Sequence, residues 1–270
     1  MSQTLLNDIK VATDAAVFAE EVLGIVPDEW QRKVLQYQHK RLILNCARQS
    51  GKSLIASLKA LHVALFVPDS LVLILAPSIR QSSETFRNVT SMSAKISPPP
   101  RKMEDNRLSV TYANGSRIVS LPAKEERVRG YSGVDLIIED ESSRVPDSLY
   151  FSCRPMLAVS KGSLILLSTP FGRRGHFFDI WSGDSPEWEK VSVTADDIDR
   201  IDEDFLKEEL DNLGKLWYLQ EYYCQFVATT GQVIAQDLIE RALTDDIPAF
   251  LGDDEYYSGG DEEWDSTILA

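Results

Sequence analysis

Apolar residues recur at helical spacing over residues 5–23 (LLNDIKVATDAAVFAEEVL), which predicts one amphipathic helix. A turn at Gly24–Pro27 leads into DEWQRKVLQYQ, a second helix start with Asp28 as its N-cap. RLILNCA is a short apolar run of strand type, followed by RQSGKS and the helical stretch LIASLKALHVALF. SLVLILAP reads as a second buried strand, and SIRQSSETFRNVTSMSAKI as a helix that stops at Pro98-Pro99-Pro100. RLSVTYANGSRIVSLPA alternates around Asn114-Gly115, a hairpin signal. VDLIIED and SLILLSTP are two more apolar strands, each polar at its C-terminal end. Strands alternating with helices, and apolar along nearly their whole length, predict a mostly parallel sheet covered on both faces. After Val191 the pattern becomes acidic and helical, without buried strands, which predicts a small helical subdomain packed on the α/β core.

Composition adds exclusions. The 270 residues are 43% apolar and 26% charged, ordinary for a globular protein with a real core. Three cysteines (Cys46, Cys153, Cys224) make no disulfide framework or ligand cluster, and His39, His62 and His176 are too scattered for a metal site. The start MSQTLLNDIK is not a signal peptide, and the longest apolar runs fall far short of the ~20 residues that span a bilayer. A reduced, cytosolic location is the expectation. The net charge of −14 by itself argues against a polyanionic partner, but residues 191–270 hold 21 acids and 4 bases. Residues 1–190 hold 21 acids and 24 bases, so they are free to carry a basic surface.

Three motifs carry chemistry. Arg48-Gln49-Ser50-Gly51-Lys52-Ser53 follows a strand and opens a helix, the setting of a phosphate-binding loop. Its backbone N–H groups and the helix N-terminus face phosphates, Lys52 reaches the β- and γ-phosphates, and Ser53 ligates Mg²⁺. Cys46 stands where the motif usually has its first glycine. Downstream, the apolar strand of VDLIIEDE ends in acids: Asp140 is assigned to Mg²⁺ and Glu141 to orienting and deprotonating the attacking water. Glu139 occupies a position expected to be apolar, so a register shifted by one, with Glu139 on the metal and Asp140 on the water, is the alternative. Ser168-Thr169-Pro170 closes the next strand, where a hydroxyl can sense the γ-phosphate. Two further positions have two readings each. Gln31, beside Trp30, either contacts an adenine edge or merely starts a helix beside a core tryptophan. Arg129 either stabilises transition-state charge, from its own subunit or a neighbour's, or is a solvated surface arginine.

Taken in order, PDEWQ, ARQSGKS, YANGSRI, RGYSGVDLIIEDES, LLSTPFGRRGHF and QEYYCQF resemble the ATPase domain of the large terminase subunit of tailed bacteriophages, from about Pro27 to Phe226. The resemblance implies a P-loop NTPase of the ASCE/RecA-like kind with a small C-terminal helical lid, using ATP and Mg²⁺. It implies Gln31 as adenine contact, Arg48 and Lys52 at the phosphates, and Ser53 with Asp140 at Mg²⁺. It also implies Glu141 as catalytic glutamate, Thr169 as coupling residue and Arg129 as a finger acting across a homo-oligomeric ring. The implied partners are double-stranded DNA, a portal protein and a small terminase subunit, with no membrane. The implied location is the host cytoplasm and, transiently, the procapsid portal. The expected division is 1–190 ATPase core, 191–235 helical lid and 236–270 acidic tail. That tail (YYSGGDEEWDSTILA) is similar to the first strand of an RNase H-like nuclease domain, with Asp261 in the place of its first metal-binding carboxylate. One carboxylate makes no two-metal site, so a truncated or natural fragment without nuclease activity is expected. A helicase-like P-loop motor and an ATP-binding assembly module are the alternatives.

Overall fold

The computed structural model describes residues 3–38, 40–123, 128 and 130–227. Arg129 and the tail containing Asp261, both singled out from the sequence, lie outside the described residues, as does His39. In chain order the helices are α1 (Gln3–Thr13), α2 (Ala15–Glu21), α3 (Glu29–Gln36), α4 (Lys52–Phe66) and α5 (Ile79–Lys95). They are followed by α6 (Asp147–Cys153), α7 (Gly175–Ser182), α8 (Glu203–Leu213) and α9 (Lys215–Tyr223). The strands are β1 (Arg41–Cys46), β2 (Leu71–Ala76), β3 (Lys102–Asn106), β4 (Ser109–Tyr112), β5 (Arg117–Pro122), β6 (Leu136–Asp140), β7 (Ser163–Ser168) and β8 (Glu189–Val193).

They form one eight-stranded sheet in the order β3-β4-β5-β2-β6-β7-β1-β8. Every pairing from β5 to β8 is parallel, and only β3–β4 and β4–β5 are antiparallel. The pleat divides the strand residues between two cores. Leu42, Leu44, Val72, Ile74, Ile138 and Leu167 pack under α1 to α5, whereas Ile43, Leu73, Leu75, Ile137 and Leu166 pack with Leu149, Tyr150 and Phe177 of α6 and α7. Burial on both faces is why these strands read as unbroken apolar runs. Because β1, β6 and β7 are parallel neighbours, Cys46, Asp140 and Ser168 finish on one edge of the sheet, where clefts form.

The expected alternation and the mostly parallel sheet are what is observed, with three local differences. The single helix expected over 5–23 is two, because the Asp14 side chain accepts the N–H groups of Ala16 (2.8 Å) and Val17 (3.3 Å) and starts a new helix. The hairpin around Asn114-Gly115 gains β3 as an outer strand. Residues 189–193, which include Val191, form β8 at the sheet edge, so the region after Val191 is not purely helical; its α-helices begin at Glu203. Among the described residues no helix is long and apolar enough to cross a membrane.

Candidate active site

Strand β1 ends at Cys46 and α4 begins at Lys52, leaving Ala47–Gly51 to turn the chain at the sheet edge. Gln49 (φ 60°) and Gly51 (φ 87°) adopt left-handed backbone there. A Cβ on Gly51 would lie 3.0 Å from Gln31 Nε2 and 3.3 Å from Arg200 Nη2, so glycine is required both for its backbone angle and for the closeness of these side chains. Cys46 sits inside β1, fully buried, and that burial pushes its thiol pKa up; it is a neutral strand residue before the turn proper.

Gln31 is buried with both ends of its amide engaged within the protein. Its Oε1 accepts the backbone N–H of Asp28 (3.0 Å) and its Nε2 donates to the Ser50 carbonyl (3.2 Å). Trp30 beside it belongs to the core under α3. Arg200 reaches the same turn from the far end of the chain, donating to the carbonyls of Ser50 and Gln49 while pairing with Asp28. Arg48 is held from α9: its backbone N–H donates to the Glu221 carbonyl (2.9 Å) and its guanidinium pairs with the buried Glu221 carboxylate, the first cause of its raised pKa.

The acidic strand meets this loop across a shared cleft. Lys52, buried at the start of α4, donates from Nζ to Thr169 Oγ1 (3.2 Å) and lies 3.6 Å from Glu141 Oε1. The three separate motifs therefore converge on one ammonium group. Asp140 is fully buried and accepts Thr85 Oγ1 (2.9 Å) and the Glu141 N–H (3.0 Å), with the Ser53 hydroxyl near enough to favour its charged form. Burial, and then the charge of Glu141, raise its pKa against the opposing pull of Lys52, Ser53 and Thr85. A desolvated carboxylate in contact with a helix-start hydroxyl is a hard-oxygen pair that suits Mg²⁺, which keeps most of its waters and needs few protein ligands.

Glu141 leaves the strand in a left-handed conformation (φ 54°). Strict alternation would turn it away from Asp140's side; the kink aims it instead into a cavity of about 650 Å³ also lined by Arg48, Lys52, Ser53, Arg144 and Thr169. Glu139 follows the pleat to the opposite face of the sheet, with Ile137. It is 1% exposed and faces His176, whose Nε2 is 2.6 Å from its Oε1.

Several residues at this site carry no role in the sequence reading. Thr85 and Arg200 lie in segments with no motif to mark them. Arg144, 3.9 Å from Glu141 Oε2, stands three residues after it in DESSR, a spacing open to inspection. Glu221 lies within QEYYCQF, but nothing local joins it to a loop 173 residues earlier.

The model of the family described as terminase large subunit, T4likevirus-type, N-terminal, matches residues 43–241. Curated large terminase subunits of Thermus phage G20c and Thermus virus P23-45 are each 25% identical, over 80% of this chain and 52% of theirs. The chain thus spans about half the length of those relatives. Among solved structures, the large terminase ATPase domain of Thermus phage P74-26 superposes with a TM-score of 0.70 at 22% identity, over 79% of this chain and 99% of that one. The large terminase of bacteriophage HK97 gives 0.66 at 16%, over 85% and 58%. That of another thermophilic bacteriophage, solved in complex with ATP-gamma-S, gives 0.59 at 15%, over 74% and 53%. These likenesses agree on the P-loop NTPase fold, and the family match covers most of the sequence. With the phosphate loop, acidic strand and Ser-Thr-Pro turn meeting in one cleft, the chain belongs to the large terminase subunit family, T4likevirus-type, within its N-terminal region.

Proposed function

We propose that this chain is the ATPase motor region of a phage large terminase subunit, hydrolysing Mg-ATP and coupling it to movement of double-stranded DNA into a procapsid. The observation that carries the reading is the convergence of Lys52, Glu141 and Thr169 on one cavity, with Ser53 and Asp140 joined beside it. The phosphate loop from Arg48 to Ser53 cradles the triphosphate, with Lys52 and Arg48 neutralising its charge. Ser53 and Asp140 would hold Mg²⁺, which would supply positive charge against the phosphates. Glu141 orients the lytic water and accepts its proton from its place in the cavity wall beside Lys52. Thr169, bonded to Lys52, registers loss of the γ-phosphate. Gln31 acts from the base side of the site, and Arg129 completes it as a finger from the neighbouring subunit of a ring.

The lid reading of residues 191–235 rests on Glu221 and Arg200, which touch the phosphate loop from beyond the core. Residues 236–270 are assigned to the start of a nuclease domain on the likeness of their sequence alone. DNA, a portal protein and a small subunit are the partners this role requires, in the host cytoplasm and at the portal. Turnover and nucleotide binding, measured together on Glu141→Gln, test the enzymatic core. The reading expects turnover to fall by about 10²–10⁴-fold while binding persists. A chain that binds ATP only to lock an assembly contact would be indifferent to the change.

A further inference from the structure

Glu139 and His176 are nearly inaccessible (1% and 4%) and lie across the sheet from the cavity, where the chemistry above does not use them. His176 Nε2 faces Glu139 Oε1 at 2.6 Å, and Nδ1 faces Asp147 Oδ1 at 2.9 Å. Each ring nitrogen thus meets a carboxylate oxygen, which fixes the imidazole at both ends. Asp147 also accepts the His176 backbone N–H (2.7 Å), and Tyr150 stacks on the imidazole (4.4 Å, 10° between planes). Ser142, the residue after Glu141, donates to Glu139 Oε1 and lies 3.1 Å from His176 Nε2.

These contacts bear directly on Glu141, whose left-handed backbone is a conformation that a non-glycine residue keeps only when its surroundings enforce it. Upstream it is fixed through Asp140, which is tied to Thr85. Downstream it is fixed through Ser142, tied to Glu139 and His176. His176 also lies in the first turn of α7, just past the loop that begins at Thr169, and Ser143 crosses to that loop, donating to the Thr169 carbonyl (2.7 Å). The turn bearing Glu141 and the turn bearing Thr169 are therefore pinned to each other from behind the sheet.

We propose that the buried Glu139–His176–Asp147 chain is a positioning device, in which His176 holds Ser142 so that the backbone kink aims Glu141 at the attacking water in register with Thr169. The proposal rests on Glu141 being the general base. It also accounts for an acid at a β6 position where an apolar residue is expected: Glu139 is the partner of His176.

The test is the double variant Glu139→Leu/His176→Phe in the full chain. Replacing a buried charged pair with apolar groups of similar size is commonly tolerated, and phenylalanine retains the stack on Tyr150. We expect a folded protein that binds a fluorescent ATP analogue as the wild type does, with kcat lower by about 10- to 100-fold. Wild-type kcat in the folded double variant would overturn the proposal, leaving the pair a packing feature only. If the double variant does not fold, Ser142→Ala, which removes the hydroxyl that ties the kink to Glu139 and His176, is read the same way against wild-type kcat. Glu141→Gln serves as the control: retained turnover there removes the general base itself, whereas lost turnover there with wild-type kcat in the double variant removes only the positioning role.

Discussion

At the scale of single residues, the site was legible wherever chemistry and spacing are local. Lys52 and Ser53 follow a glycine at a helix start, and Asp140 ends a buried strand, so their neighbourhood could be read from a dozen letters. The motif leaves Glu139 and Asp140 as alternatives, and the pleat parts them: Ile138 and Asp140 share the α4 face, and Glu139 shares the other with Ile137. Gln31 illustrates what letters omit, since its amide is bound to Asp28 and to Ser50 by contacts 3 and 19 residues away. Gly51→Ala should weaken nucleotide binding tenfold or more, because the left-handed angle costs about 1–2 kcal/mol and the Cβ crowds Gln31; titration of a fluorescent ATP analogue measures it. Asp14→Ala should cost about 1 kcal/mol in denaturant melts through loss of the α2 cap. Although burial raises the Asp14 pKa, the bonds from Gln36, Ala16 and Val17 outweigh it and leave it lowered. Its contribution is therefore present above the ordinary carboxylate range and lost as pH falls through the folded value. The gap between wild type and variant should close in acid, and a gap independent of pH would refute the cap.

At the scale of elements, the interior strands were legible because burial on both faces leaves an apolar run, while the edge was not. β8 has one fully buried residue, Val193, and its EKVSV pattern carries no run to detect. The break between α1 and α2 was hidden because helical periodicity continues through Asp14, whose side chain overrides it locally. Strand order is likewise absent from local pattern: β7 lies between β1 and β6, so the Ser-Thr-Pro turn emerges between the phosphate loop and the acids. The chain also enters β7 through a tight approach. A Cβ on Gly162 would lie 2.2 Å from the Val134 carbonyl oxygen and 2.7 Å from that of Asp135. Gly162→Ala should therefore destabilise the fold by about 1–3 kcal/mol, as overpacking does, read as a lower denaturation midpoint at unchanged slope.

At the scale of the whole molecule, the site is assembled from sequence extremes: Gln31 near one end of the described chain, Arg200 and Glu221 near the other, and the phosphate loop between them. Ligand binding at such a junction should raise global stability. Mg-ATP at a hundred times its Kd should add about 2.7 kcal/mol, seen as a raised Tm that Lys52→Ala abolishes. The charge division between residues 1–190 and 191–270 belongs to this scale too. If the basic part grips DNA phosphates, binding should weaken steeply with salt and ignore base sequence; a flat salt dependence would contradict it.

The most direct measurement is a crystal structure of this protein with Mg²⁺ and a non-hydrolysable ATP analogue. The metal is expected on the Ser53 hydroxyl beside Asp140, with the terminal phosphate between Lys52 and Glu141. A metal on Glu139, or a nucleotide seated away from the phosphate loop, would contradict it.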